Sequence, residues 1–90
     1  MMEYKYAEYA AQKAAELLAI DSPTGYTARA AEWVRAAFTE LGFAARMTKK
    51  GGVLIDLGGA GREDALLLES HADTLGGMVT EISAAGRLHL

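Results

Sequence analysis

One stretch of this 90-residue chain carries residue types that could do chemistry: Glu69-Ser70-His71-Ala72-Asp73-Thr74-Leu75-Gly76-Gly77. In extended backbone, residues two apart project to the same side, so His71 and Asp73 would share a face. A neutral imidazole is a good ligand for a divalent metal. A carboxylate two residues on can hold the ring's other N–H, which fixes the tautomer and raises the basicity of the ligating nitrogen. The same pair would suit general-base work. Gly76 and Gly77 would then let the backbone turn away. Taken alone, His-x-Asp is a weak signal, and a strand-end histidine bonded to a turn-forming aspartate is the commoner reason for it. Glu69 would share the face of His71 in a regular strand and is kept as a third ligand or a supporting group. His89 has only its residue type to recommend it. Asp21 and Asp64 read as turn residues and Asp56 as a solvent-facing strand residue.

Such a pair must be held by a framework, and the chain's composition changes at Gly42. Alanine is abundant before it, while nine of the ten glycines come from Gly42 onward. The first half therefore reads as helical and the second as strands and turns. A helix is expected over residues 4–19, with Ala7, Ala10, Ala11, Ala14, Leu17 and Leu18 in one stripe packed closely against a sheet or another helix. Tyr4, Tyr6 and Tyr9 read as rings covering the helix edge with wet hydroxyls. Pro23 pushes Ser22 out of the α region and stops this helix. Gly25 permits a positive φ, and Thr24 or Thr27 can cap the next helix. That second helix is expected over residues 27–41, with Ala30, Ala31, Val34, Ala37, Phe38 and Leu41 inward. Gly42 suits the left-handed position just past it, with Phe43 folding back onto the last turn.

Residues 44–48 read as a strand, Lys50-Gly51-Gly52 as a hairpin turn, and residues 53–57 as its alternating partner. Residues 58–64 are a polar loop whose GGAG is only a loose match to RNA-binding GxxG loops. Ala65-Leu66-Leu67-Leu68 lacks alternation and reads as a central strand covered on both faces. The His-x-Asp segment would then lie where a buried strand meets a glycine-containing loop, the usual address for ligands in open α/β sheets. Residues 78–82 and 87–90 read as strands joined by a turn at Ala85-Gly86.

Composition bounds the class. The apolar fraction is 51%, the charged fraction 23% and the net charge −3, as in ordinary globular chains. With no cysteine, disulfides and thiolate metal sites are excluded. The acidic balance and scattered basic residues argue against a nucleic-acid surface, and Lys49-Lys50 reads as a solvated turn. No apolar run approaches the ~20 residues of a membrane helix. The first residues lack the basic and apolar regions of a secretory leader, so a cytoplasmic location is expected.

The segments Leu18-Ala19-Ile20-Asp21-Ser22-Pro23-Thr24-Gly25-Tyr26, Leu41-Gly42-Phe43 and His71-Ala72-Asp73-Thr74-Leu75-Gly76-Gly77-Met78-Val79, followed by Glu81-Ile82 and Gly86-Arg87-Leu88, have a joint spacing far more specific than any one of them. Together they resemble the start of the tetrahedral aminopeptidases, the glutamyl aminopeptidase family, some of whose members carry an endoglucanase label. The resemblance implies an α/β/α metallopeptidase catalytic domain, here its N-terminal part over residues 1–77, with two helices and then a mixed sheet. Residues 78–90 would begin an inserted, dimerisation-type β domain. It implies two divalent ions, zinc or cobalt, in the full-length enzyme, and peptides with a free N-terminus as substrates. It also implies homo-oligomers, often dodecameric cages. By position, His71 would be a metal ligand and Asp73 the catalytic-motif carboxylate that orients a ligand.

The family pattern further needs a bridging Asp, a Glu-Glu pair, another acidic ligand and a second His. After Asp73 this sequence offers only Glu81 and His89. One imidazole and one supporting carboxylate cannot fill the three or four positions of a zinc site. The chain alone is therefore expected to be inactive and to bind no metal tightly. The competing reading is a non-catalytic module that oligomerises through an exposed terminal strand. Carbohydrate hydrolysis would need two carboxylates at about 5–9.5 Å, and no such pair is evident.

Overall fold

The computed structural model describes residues 4–59, 61 and 63–90. Residues 1–3, where the absence of a leader is read, and Ala60 and Arg62 of the polar loop lie outside the described residues. The elements run α1 (Tyr4–Leu18), α2 (Ala28–Glu40), β1 (Ala44–Met47), β2 (Val53–Asp56), β3 (Glu81–Ile82) and β4 (Leu88–His89). Helices and strands are mixed along one chain, as the composition change at Gly42 implies.

The order around α2 arises from local signals. Thr27 stands at its N-cap, with its carbonyl accepting from the Ala31 N–H at 2.9 Å, but its side chain makes no capping bond. At the other end Gly42 adopts φ +95°. Its N–H reaches the Thr39 carbonyl at 3.0 Å, and the Phe43 N–H reaches the Phe38 carbonyl at 3.1 Å. That pair of bonds is the Schellman closure. It folds Phe43 back onto Phe38, edge to face, with ring centroids 6.3 Å apart. A Cβ on Gly42 would meet no atom within 4 Å, so Gly42→Ala carries a backbone cost alone. It is expected to destabilise the chain by about 1–2 kcal/mol, read as a fall in the denaturant midpoint. An unchanged midpoint would remove this account of the helix stop.

β1 and β2 pair antiparallel, with Ala45 opposite Ile55 and Met47 opposite Val53. Ala45, Val53 and Ile55 are half-buried while Leu54 and Asp56 are exposed, so the period-2 alternation turns one face of the hairpin towards α2. Ala30 and Ala31 of α2 are the buried apolar residues among those described. Their small side chains suit a helix lying close on its neighbours. β3 and β4 form a second antiparallel pair, Glu81 opposite His89 and Ile82 opposite Leu88.

Three expectations differ from the structure. In place of one mixed sheet there are two separate antiparallel pairs, and the one parallel contact among the described residues is an isolated bridge between Pro23 and Thr74. Residues 65–68 pair with no strand among the described residues, and Leu66, Leu67 and Leu68 are 85%, 71% and 79% exposed. α1 has no buried residue. It leans on α2 partly through the Lys13 ammonium, which lies 5.8 Å from the Trp33 ring centroid. The physical reason is common to the last two. An apolar run states a preference for burial, but burial needs a partner surface, and the α2–hairpin unit is too small to cover both. The Cα radius of gyration is accordingly 17.4 Å, against about 12 Å for a compact chain of this length. No helix among the described residues is long and apolar enough to cross a membrane.

Candidate functional site

The site is assembled by two loops from opposite ends of the chain. In the first, the Tyr26 N–H donates to the Pro23 carbonyl at 2.8 Å and Gly25 sits at φ +89°. A left-handed third residue in such a turn is the pattern of type II, and only glycine takes it without strain. Thr24 is thereby carried at the second turn position. The second loop, residues 71–77, lies alongside. The Thr74 N–H donates to the Ser22 carbonyl at 2.8 Å, and the Ser22 hydroxyl donates to the Ala72 carbonyl at 3.0 Å. Ser22 is the buried polar residue of this junction. The approach is close at Gly76, where a Cβ would come 3.3 Å from the Pro23 Cβ.

His71 and Asp73 do project to one side. The ring Nδ1 lies 3.0 Å from Asp73 Oδ1 and 3.0 Å from the Asp73 carbonyl oxygen. Both neighbours are acceptors when the carboxyl is ionised, so Nδ1 carries the proton and donates. That leaves the lone pair on Nε2, on a side chain 84% exposed. The other carboxylate oxygen, Oδ2, accepts from the Thr24 hydroxyl at 2.6 Å. This bond, above all, holds the Asp73 carboxyl below its ordinary value. Partial desolvation opposes the shift, and the His71 charge supports it. The contact is therefore fully made above the usual aspartate range, about 3.9, and is lost as pH falls through the lowered folded value. Thr24→Val is expected to raise the Asp73 midpoint in a carboxyl-carbon NMR titration. A midpoint that stays put would show that the hydroxyl is not the cause.

His71 and Asp73 stand on the rim of an open groove of about 1350 Å³ that runs between α2, the β1–β2 hairpin and residues 67–73. Trp33, Val34, Phe38, Val53 and Ile55 contribute its apolar lining. The remaining candidates do not converge on the pair. His89 lies in β4 opposite Glu81. Glu69 lines the groove, yet no group of three or more His, Cys, Asp or Glu able to hold a metal ion occurs among the described residues. The residues present therefore fit one ligand position, the His71 Nε2, with its supporting carboxylate.

Thr24 is the site residue that sequence reasoning did not find. Its hydroxyl had a local explanation as a helix cap, and it caps nothing: it reaches Asp73, 49 positions away. The one available signal was the glycine after it, which marks a turn that projects its neighbours.

Comparison with known proteins adds a partial likeness. The chain is 37% identical over 75 residues to a Bacillus subtilis (strain 168) protein named "Putative aminopeptidase YhfE". The match covers 83% of this chain and 22% of that protein, so the chain spans about a fifth of its relative's length. No family profile matches the chain. No solved structure matches it either.

Proposed function

We propose that these residues are the part of a dinuclear metal-dependent aminopeptidase that carries its His-x-Asp pair, with peptides bearing a free N-terminus as substrates. The observation that supports this most is the orientation of the pair. Asp73 holds Nδ1–H at 3.0 Å and leaves Nε2 free on an exposed ring, the arrangement in which carboxylate-backed histidines bind metals. His71 is the ligand in this reading, and Asp73 fixes its tautomer and aim. The chemistry that two divalent ions, zinc or cobalt, supply when bound is Lewis acidity: a water made nucleophilic near neutral pH and a polarised carbonyl. The other donors come from outside this chain, since a zinc site takes three or four protein ligands. In this reading residues 1–77 belong to the catalytic domain and residues 78–90 to an inserted β domain.

Replacing the matching segment of the Bacillus subtilis relative by this chain tests the proposal. A folded chimera is expected to bind zinc or cobalt and to release N-terminal residues from peptides in a chelator-sensitive way. A folded chimera that binds neither ion, or cleaves equally after chelation, overturns it. The 90-residue chain alone is expected to show no aminopeptidase turnover and only weak zinc binding by calorimetry.

A second reading, a module that self-associates, is favoured by the exposure of Leu66, Leu67 and Leu68. Monomeric proteins rarely leave such contiguous apolar surface open.

A further inference from the structure

We propose that Thr24 is a positioning residue for the His71–Asp73 pair: its hydroxyl, presented by the Gly25 turn and joined to the Ser22 clip, holds the Asp73 carboxylate at the torsion that aims one oxygen at the imidazole. The proposal deepens the ligand reading of His71 and rests on it for what the pair is used for.

A carboxylate has two equivalent oxygens and a broad terminal torsion, so a lone His–Asp contact leaves the acid free to turn. Here the two oxygens have separate jobs. Oδ2 accepts from Thr24 at 2.6 Å and Oδ1 faces His71 Nδ1 at 3.0 Å. A hydroxyl on Oδ2 halts rotation only if it is itself held. Ser22, two residues earlier, is 3% exposed and bonds both sides of Asp73, through the Ala72 carbonyl and the Thr74 N–H. The Thr74 bond to the Ser22 carbonyl belongs to the parallel bridge of Pro23 with Thr74. The two loops thus meet in register, and the Thr24 side chain falls opposite Asp73. Serine could replace threonine, because the hydroxyl carries the role; valine, equal in shape, could not.

The test uses this chain without metal or substrate, so its failure leaves the aminopeptidase proposal to be judged by the chimera. Long-range proton–nitrogen correlation spectra at pH 8 report the His71 tautomer. Wild type is expected to show the Nδ1–H pattern. Thr24→Val is expected to move both ring nitrogens part of the way towards the Nε2–H pattern that free imidazole side chains favour in water, the Asp73 carbonyl 3.0 Å from Nδ1 remaining as an acceptor, and Thr24→Ser to keep the wild-type shifts. Coincidence of the valine variant with wild type, or of the serine variant with valine, overturns the proposal. Should the valine variant not fold, three-bond couplings at Thr24 in wild type decide. A single χ1 rotamer is expected, and rotamer-averaged couplings overturn it.

Discussion

In the chimera, His71→Ala is expected to lower kcat/KM by more than about 100-fold and to remove one metal equivalent, while Asp73→Asn costs about 10–100-fold in activity or metal affinity. The two effects differ because the residues act at different removes. His71 offers Nε2 itself, and alanine leaves nothing in its place. Asp73 works through the ring. Asparagine keeps an acceptor oxygen but loses the charge, and its amide nitrogen cannot accept from Thr24 or from His71. The amide oxygen can keep the bond to His71 at 3.0 Å, while the one to Thr24 at 2.6 Å must reverse, the amide N–H donating to the hydroxyl oxygen, so the pair loses mainly the charge that backs the imidazole. Calorimetry with zinc separates this from a general folding defect, since the asparagine variant is expected to retain full stoichiometry at weaker affinity. Turnover of His71→Ala within about tenfold of the parent chimera would show that this imidazole is no ligand.

The second large effect concerns association of the chain by itself. Leu66 and Leu68 are 85% and 79% exposed, and residues two apart in extended backbone share a face. Next to them the α2–hairpin groove is open and lined with apolar side chains. Covering one leucine side chain is worth about 1.5–3 kcal/mol, so two leucines in one contact shift a dissociation constant by at least about 100-fold. The isolated chain is expected to gain mass with concentration in light scattering. The double change Leu66→Glu, Leu68→Glu is expected to weaken that association by at least the same factor. A wild-type chain that stays monomeric through the micromolar range, with one sharp unfolding transition, rules this surface out as a contact.

The parts legible in the sequence are those decided by neighbours. The stop of α2 at Gly42, the folding back of Phe43, the hairpin at residues 48–52 and the alternation of Val53 and Ile55 each depend on a few adjacent residues. So does the shared side of His71 and Asp73, which needs only two residues of extended chain. Legibility ends where a distant partner decides. Residues 65–68 have the composition of an inner strand, but a strand exists only against another strand, and none lies beside them among the described residues. The alanine stripe of α1 names a packing face without naming what packs on it. Thr24 is the sharpest case. A threonine beside a glycine before a helix has an ordinary local use, and nothing within ten residues of it hints at a carboxylate near the other end of the chain.

The clip between Ser22 and Ala72 also sets an order of events during folding. It closes a span of 50 residues, for which chain statistics exact about 3.5 kcal/mol beyond a constant. Its three or so hydrogen bonds return about 1 kcal/mol each, so it cannot nucleate anything. The helix and hairpin are expected to form first and shorten the distance the two loops have to travel. On a growing chain, the turn bearing Thr24 leaves the ribosome several seconds before its acceptor does, at the usual rate of about 5–20 residues per second. Assembly of the site is thus a late step, and its hydrogen bonds would be the natural place to watch for the end of folding.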